Sequence, residues 1–302
     1  MVRYHFGYDG PLPARRGKRL RPQLLLRVAL AEGAALEAAL DAAVAVEILH
    51  NYSLVHDDIE DQDEFRHGRP TVWARYGVAH AINVGDALCS LSYLTLLAAA
   101  ASHEPRASFA AVLHRANLAM CEGQALDIAF ESREAVTMSE YRAMIDGKTA
   151  ALFAAACELG ALAAGAAPAR ARAYAELGKA YGVAFQIRDD VLGTWGSSDV
   201  TGKPSGGDIA RRKWTFPVVW ALETPPSAAR DVVSRAYTPG RRLVTSAVPP
   251  VVAALDAVGA RGAADDEERA ALDGATRLAE RSGLDRDGSI DSLLAQGASR
   301  VA

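Results

Sequence analysis

The amino-acid sequence predicts an all-α protein, and three observations support that prediction. Alanine and leucine dominate nearly the whole chain, which favours helix over strand. The period-two alternation of β-branched residues that marks strands is almost absent, and no Asn-Gly or Asp-Gly hairpin turn is visible. Helix-breaking residues leave segments of about 15 to 30 residues between them, a length typical of helical bundles.

The helix-breaking residues separate the predicted elements in order along the chain. They occur at Gly33, Gly68-Arg69-Pro70, His103-Glu104-Pro105, Gly165 to Pro168, Gly193 to Gly207, Pro225-Pro226, Pro239-Gly240 and Pro249-Pro250. No fixed-period repeat and no Ser/Gly-rich linker interrupts the 302 residues, so we expect one domain over residues 1–302. After Pro225 the segments become shorter and more charged, which predicts peripheral C-terminal helices over residues 225–302.

Composition and charge exclude several classes of protein. The 33 Lys and Arg residues against 37 Asp and Glu give a net charge of −4, too little of either sign to indicate nucleic-acid binding. The 3 cysteines show no disulfide or zinc spacing and predict buried thiols in a reducing cytosol. No signal peptide is recognisable, and the longest apolar run, residues 87–101, is shorter than the roughly 20 residues that cross a bilayer. We therefore expect a cytoplasmic protein without a stable membrane span.

Two acidic clusters each follow an apolar helical pattern. At about 100° per residue, Asp57 and Asp61 fall on one helix face a turn apart, with Asp58 beside them. Like charges at this spacing weaken a helix by roughly 0.2–0.5 kcal/mol per pair, a conflict that a bound cation removes. The second cluster is the pair Asp189-Asp190.

Magnesium is the metal that these carboxylates would suit. Mg²⁺ prefers hard oxygen ligands and is usually held by one or two carboxylates together with substrate phosphates. Two acidic faces that close on one cavity would hold a diphosphate through the metal. The competing interpretation is that each cluster is a solvated helix end.

Basic residues near predicted loops and helix ends favour the diphosphate interpretation. Arginine offers phosphate a planar fork, and lysine offers a movable point charge. Each one alone would more often be a surface charge, but their joint occurrence with two acidic pairs is specific. They lie in Gly17-Lys18-Arg19-Leu20-Arg21-Pro22, Arg66-His67-Gly68-Arg69, Lys148-Thr149, Lys203 and Arg211-Arg212-Lys213.

Taken together, the motifs resemble the trans-isoprenyl diphosphate synthase, or polyprenyl synthetase, family, particularly its geranylgeranyl and farnesyl diphosphate synthases. The matching stretches are GKRLRP, HNYSLVHDDIED, RHGRPTVW, NVGDAL, EGQALD, GKTAALF, FQIRDDVLG and VTGKP. The resemblance implies an isoprenoid synthase-type bundle of long antiparallel helices around a central cavity. It further implies a Mg²⁺-dependent homodimeric transferase that joins isopentenyl diphosphate to an allylic diphosphate.

The resemblance also implies a role for each matched residue. The metal ligands would be Asp57, Asp58, Asp61, Asp189 and Asp190. The residues that contact the allylic diphosphate would be Arg66, Lys148, Thr149, Gln186, Lys203 and Lys213, with Lys148 acting in catalysis as well. Isopentenyl diphosphate would be held by Lys18, Arg21 and His50.

Helix geometry gives a prediction for product length. Tyr52 lies five residues, about 7.5 Å, before Asp57, nearly one and a half turns deeper along the same helix. A lone tyrosine would more often be ordinary core, but within this motif we favour its ring as the floor of the cavity, beside Leu49 and Ser53. The four-residue span from Asp57 to Asp61 looks more like geranylgeranyl-type than bacterial farnesyl-type members. We expect a C15 to C20 product, with geranylgeranyl diphosphate favoured.

Three departures from the family pattern are visible. His67 stands where the family usually has a second arginine, so a titratable group replaces a permanent cation that would bind isopentenyl diphosphate. Gly193 stands where the second acidic motif usually has a third aspartate. Because only 16 residues precede GKRLRP, we expect an N-terminal helix to be missing or the start to be internal.

Three other functions compete with a synthase. A class I terpene cyclase would ionise an allylic diphosphate without isopentenyl diphosphate, but its Asn-Asp…Ser…Glu metal motif is not found. A di-iron carboxylate protein is suggested by Glu47-x-x-His50 and Glu64-x-x-His67, but these motifs lie only 17 residues apart. A non-catalytic partner of a synthase would be expected to carry damaged acidic motifs.

Overall fold

A computed structural model of the protein describes residues 1–9, 17–98, 106–196, 206–239, 243–284, 288, 290 and 292. The described chain is almost entirely helical, which confirms the predicted all-α fold. It forms two compact units, Met1–Arg115 with Ala155–Ala175, and Ala116–Ala154 with Glu176–Ala302. Three helices contribute residues to both units: α6 (Arg106–Phe130), α8 (Ala151–Ala163) and α9 (Pro168–Trp195).

Within its described residues, the first unit contains five further helices. They are α1 (Val2–His5), α2 (Leu20–Ala31), α3 (Leu40–Glu60), α4 (Val72–Tyr76) and α5 (Val78–Ala98), with a 3₁₀ turn at Leu36–Ala38. The long helices α3 and α5 pack along each other. Tyr4, Val55 and Leu88 are buried in one hydrophobic cluster of this unit, so α1, α3 and α5 share a core.

A small β-hairpin follows α3, although no strands were expected. Its strands β1 (Phe65–Arg66) and β2 (Arg69–Pro70) pair antiparallel. His67 and Gly68 form the turn with φ values of 52° and 76°, the left-handed values of a type I′ turn. Strands of two residues are too short to show alternation of polar and apolar residues, and His-Gly is not a usual turn signal. The sequence pattern therefore does not predict this hairpin.

Most of the further elements that the structure describes in the second unit are short, but its last helix is long. The elements are α7 (Met138–Ile145), a π-helical turn (Asp146–Ala150), α10 (Gly207–Ala210), α11 (Phe216–Glu223), α12 (Ala228–Ala236), a 3₁₀ turn (Thr245–Ala247), α13 (Val248–Ala257) and α14 (Ala260–Ser282). Helix α7 begins with a capping box, in which Thr137 and Glu140 each accept a hydrogen bond from the other's backbone N–H. The Thr137 N–H and then Arg133 lower the pKa of Glu140 to about 2.

The helices after Pro225 are part of the core of the second unit, where the sequence predicted a peripheral cap. Val233 of α12 and Leu255 of α13 are fully buried. They lie in the same hydrophobic cluster as Tyr141 of α7 and Ile187 of α9. The charges that suggested a cap occur on helices whose opposite faces are apolar, and a composition count does not separate the two faces.

Candidate active site

The first acidic motif lies at the C-terminal end of α3, in the first unit. The side chain of Asp57 is partly exposed, whereas Asp58 is only 2% exposed. Asp61 directly follows the helix, and its N–H donates to the carbonyl oxygen of Asp57 at 2.8 Å. Asp57 and Asp61 therefore stand one turn apart, as their spacing predicted.

Asp58 is held by Arg66 of the hairpin. The Nε of Arg66 donates to Oδ1 of Asp58 at 2.8 Å. Burial raises the pKa of Asp58 to about 6, although the Arg66 guanidinium opposes that shift. A buried carboxylate requires such a partner, because an unpaired buried charge is costly. The next residue, His67, is exposed in the turn.

Two of the residues expected to hold isopentenyl diphosphate lie in contact. A guanidinium nitrogen of Arg21 donates to Nε2 of His50 at 3.1 Å. Burial lowers the pKa of His50 well below its ordinary value, and the charges of Arg21 and Arg66 lower it further. Lys18 is exposed just before α2, where its carbonyl oxygen accepts a hydrogen bond from Gln23 at 2.7 Å. The structure thus joins Arg21 to His50 and leaves the Lys18 side chain at the surface.

Tyr52 is partly buried on α3 and packs against the hydrophobic cluster of the first unit. Its ring meets the ring of His56 edge to face, with centroids 5.4 Å apart. His56 in turn lies against α5, with Nε2 3.3 Å from the carbonyl oxygen of Ile82. Leu49, one of its predicted neighbours, is fully buried. Packing between α3 and α5 therefore fixes the position of the Tyr52 ring.

Two lysines of the second unit converge on one buried carboxylate, Asp127 of α6. Lys148 Nζ lies 2.5 Å from Oδ2 of Asp127, and Lys213 Nζ lies 3.4 Å from the same oxygen. Lys213 Nζ is also 3.4 Å from Oε1 of Glu131. Burial raises the pKa of Asp127, but Lys148 and Lys213 outweigh burial and bring that pKa below its ordinary value.

Asp127 joins the candidate site through these two lysines, although the sequence alone does not single it out. It ends the EGQALD motif, but its role depends on contacts that the sequence pattern does not reveal. At Gly123, one turn earlier, an added Cβ would lie 2.1 Å from the backbone nitrogen of Lys148. Only glycine allows α6 and the π-helical turn to approach this closely. Such π-helical turns occur frequently at functional sites.

Asp190 of α9 is buried within a hydrogen-bond network of the second unit. Its Oδ2 accepts from the Tyr141 hydroxyl at 2.6 Å and from the Phe216 N–H at 2.8 Å. Its Oδ1 accepts from Nε2 of Gln186 at 2.8 Å. The Gln186 carbonyl oxygen in turn accepts from the Thr149 hydroxyl at 2.6 Å. Burial raises the pKa of Asp190 to about 7, although these donors oppose the shift.

The other residues of the second acidic motif have different surroundings. Asp189 is exposed. At Gly193, an added Cβ would lie 1.7 Å from Oδ2 of Asp208, which pairs with Arg211 at 2.9 Å. The carboxylate of Asp208 thus occupies the space that a third aspartate of the motif would need. Lys203 lies outside the described residues.

The donor set can be compared with the needs of magnesium, which takes one or two carboxylates beside water and phosphate. Asp57 and Asp61 offer a pair at the end of α3, and Asp189 offers an exposed carboxylate on α9. Asp58 and Asp190 are instead buried and bonded to protein donors. In the part of the chain that the structure describes, no three His, Cys, Asp or Glu side chains form a closed metal site. Taken separately, the pair in the first unit and the single carboxylate in the second each fit a metal that binds together with a phosphate-bearing substrate.

The sequence matches a family model described as "Polyprenyl synthetase" over residues 12–249. The chain belongs to the polyprenyl synthetase family. It is 42% identical over 271 residues to the (2E,6E)-farnesyl diphosphate synthase of Mycobacterium tuberculosis, which covers 88% of this chain and 70% of that protein. The family assignment makes this protein an enzyme that transfers prenyl groups, and it does not favour the terpene cyclase alternative.

Solved structures of polyprenyl synthetases share the fold. The polyprenyl synthetase from Streptomyces coelicolor A3(2) superposes with a TM-score of 0.90 at 35% identity, covering 100% of this chain and 91% of that chain. The geranylgeranyl pyrophosphate synthase from Corynebacterium glutamicum, complexed with isoprenyl diphosphate and magnesium, gives a TM-score of 0.86 at 26% identity. That comparison covers 99% of this chain and 90% of that chain. The fold of the isoprenoid synthases is thereby confirmed.

Proposed function

We propose that this enzyme condenses isopentenyl diphosphate with an allylic diphosphate, using Mg²⁺, to form a trans-polyprenyl diphosphate. The observation that carries the proposal is that the three aspartates of the first acidic motif have different surroundings. Asp57 and Asp61 stand one turn apart at the end of α3, while Asp58 between them is neutralised by Arg66. The magnesium and isoprenyl diphosphate bound by the Corynebacterium glutamicum relative support the choice of metal and substrate class.

The leaving end of the allylic substrate needs positive charge, because breaking its C–O bond places negative charge on the departing diphosphate. When bound, Mg²⁺ would supply Lewis acidity there. Asp57 and Asp61 would hold the metal at the first motif, and Asp189 would do so at the second. Lys148 and Lys213 would donate to phosphate oxygens.

The carbon end needs protection from water and a group that tolerates a cation. Gln186 suits this role, because the Thr149 hydroxyl and the carboxylate of Asp190 fix both ends of its amide. Its carbonyl oxygen keeps a second lone pair that can face positive charge. The alkene of isopentenyl diphosphate attacks the allylic carbon, so no nucleophile from the protein is required. The departing diphosphate would accept the final proton.

The second substrate would bind in the first unit, where the Arg21–His50 contact lies. Arg21 would pair with its diphosphate, and the neutral His50, which already accepts from Arg21, would orient that guanidinium. Exposed Lys18 can swing onto the same anion, since lysine is a flexible point charge. His67 would add only a weak, titratable contact.

For the product we propose a chain of C15 to C20, with geranylgeranyl diphosphate favoured. Tyr52 would close the cavity, because His56 holds its ring one and a half turns before Asp57. Chain-length analysis of the reaction product tests this directly. A C20 product supports a floor at Tyr52, and a product of C25 or longer places the floor elsewhere.

We propose that the enzyme is a cytoplasmic homodimer in which α5 is covered by a second copy. This helix has 21 residues, and its length and composition alone would allow it to cross a membrane. However, Asp86 lies within it with its side chain 66% exposed, and a charge at that depth disfavours a membrane span. The apolar side chains of Ile82, Leu94 and Leu97 are also exposed, which suits a subunit interface.

The experiment that tests the proposed reaction is incubation with labelled isopentenyl diphosphate, an allylic diphosphate and Mg²⁺. Label that enters a longer prenyl chain supports the condensation. In the Asp57→Ala variant, turnover should be lost while helicity measured by circular dichroism is unchanged. Normal turnover in that variant would remove Asp57 from the metal site.

A further inference from the structure

The C-terminal helix α14 carries a buried acid on a face made otherwise of alanine. Ala260, Ala264 and Glu268 follow one another at intervals of four residues, and Glu268 is only 4% exposed. A carboxylate at such a position must be paired, because burying an uncompensated charge is strongly unfavourable. The presence of Glu268 on this face therefore requires a specific partner.

That partner is Arg188 of α9, the residue immediately before Asp189. Arg188 Nε donates to Oε1 of Glu268 at 3.0 Å, and a terminal nitrogen donates to Oε2 at 2.6 Å. Asp265, one turn earlier on α14, lies 3.6 Å from the other terminal nitrogen. The contact between Arg188 and Glu268 is bidentate, and a bidentate contact fixes an arginine in one orientation.

A second ion pair joins α14 to α7, the helix that bears Tyr141. Glu267 Oε1 lies 2.5 Å from a terminal nitrogen of Arg142 on α7. Arg142 follows Tyr141, whose hydroxyl donates to the carboxylate of Asp190. Glu267 and Glu268, which are consecutive on α14, thus pair with two arginines. Arg188 directly precedes the exposed Asp189, and Arg142 directly follows Tyr141, which donates to the buried Asp190.

We propose that α14 positions the second acidic motif, with Glu268 acting as a positioning residue through Arg188. The inference rests on the proposed function, because it assumes that Asp189 serves a metal. With Glu268 in place, the guanidinium of Arg188 is paired with carboxylates of α14. Without it, the guanidinium would be available to pair with Asp189 and would repel a cation there. Groups that orient metal ligands from outside the ligand set commonly change metal affinity by 10- to 100-fold.

The test measures Mn²⁺ binding by electron paramagnetic resonance, with the full-length protein and inorganic diphosphate present. Glu268→Gln should raise the dissociation constant for Mn²⁺ about tenfold. The double variant Glu268→Gln/Arg188→Gln should return it to within about twofold of the wild type, because the uncompensated cation is gone. Rescue of this kind is not expected from a merely structural contact.

Asp266→Asn is the matched control. Asp266 lies on the same helix and pairs with Arg269 at 2.8 Å, but both side chains are exposed and the pair lies within α14. This variant should bind Mn²⁺ like the wild type. Tight Mn²⁺ binding by Glu268→Gln, or a double variant as weak as the single one, would overturn the proposal.

Two further measurements keep the outcome decisive. If Glu268→Gln does not fold, half-exposed Asp265→Asn replaces it, and about a twofold weakening is expected while unchanged binding overturns the proposal. Label incorporation by wild type and Asp266→Asn is measured in parallel. Absence of incorporation in both would contradict the proposed function, whereas the Mn²⁺ series reports on α14 alone.

Discussion

At the scale of single residues, buried carboxylates hold the basic side chains of the candidate site in place. Asp58 is paired with Arg66, and Asp127 gathers Lys148 and Lys213. In each case the carboxylate is buried while a basic partner keeps some exposure. The pairing stabilises the acid and also limits the positions that the cation can take, which is the condition for binding a diphosphate without ordering flexible side chains first.

The contribution of Asp127 is testable by Asp127→Asn. Loss of its charge should raise the KM for the allylic diphosphate, because both lysines lose their common anchor. It should also lower the free energy of unfolding at pH 7 by about 1.5–3 kcal/mol, the range for hydrogen bonds to charged groups. Steady-state kinetics and urea denaturation measure these effects. Glu131→Gln, which alters the more exposed partner of Lys213, is the control and should have a much smaller effect.

The difference in unfolding free energy between the wild type and Asp127→Asn should depend on pH in a defined direction. The pKa of Asp127 is lowered in the folded protein, so its charge stabilises the fold above the unfolded-state pKa of about 4. The contribution is lost as the pH falls through the lower folded-state pKa. The stability gap between wild type and Asp127→Asn should therefore be full at pH 7 and shrink below about pH 4. A gap that widens on acidification would contradict the ion-pair account of Asp127.

At the scale of secondary-structure elements, close approach between helices places the residues of the candidate site. The π-helical turn that bears Lys148 lies against α6 because position 123 has no side chain. Position 193 on α9 is likewise glycine, and the carboxylate of Asp208 fills the adjoining space. Both glycines belong to recognisable motifs, and their role is to let backbone or carboxylate atoms approach.

Gly123→Ala tests the close approach of α6. A methyl group here would meet backbone atoms, which cannot move aside cheaply, so a loss of about 1–3 kcal/mol in the free energy of unfolding is expected. Displacement of Lys148 should also raise the KM for the allylic diphosphate. Gly262→Ala on α14 is the control, since a methyl group there meets nothing within 4 Å. In a helix interior that substitution should stabilise by roughly 0.5–1 kcal/mol. Equal effects of the two substitutions would refute the packing explanation.

The sequence was sufficient for the helical elements and for the acidic motif at Asp57 and Asp61, because both depend on local spacing. It was not sufficient for Asp127, whose role depends on α6 meeting a distant turn. Nor did it predict the hairpin that brings Arg66 to Asp58, since strands of two residues have no periodicity. Glu268 was hidden for a related reason, because one acid in a charged helix shows its burial only when its neighbours are known.

At the scale of the whole molecule, the exposed apolar face of α5 is the feature that calls for a partner. Size-exclusion chromatography with light scattering should give twice the mass of one chain. Leu94→Glu together with Leu97→Glu should yield a monomer, because two buried charges without partners would oppose association. Leu118→Glu, on α6 with its side chain also exposed, is the control for added surface charge. A wild type that elutes as a monomer would contradict the dimer.

Condensation of two diphosphate substrates is the central claim, and Mg²⁺-dependent transfer of label from isopentenyl diphosphate tests it most directly. The assay is run separately with dimethylallyl, geranyl, farnesyl and geranylgeranyl diphosphates, and the chain length of each product is determined. We predict that label enters a longer prenyl diphosphate, that growth ends at C15 to C20, and that removal of Mg²⁺ abolishes transfer. Formation of hydrocarbon or alcohol from the allylic substrate alone, with no label incorporated, would contradict the account.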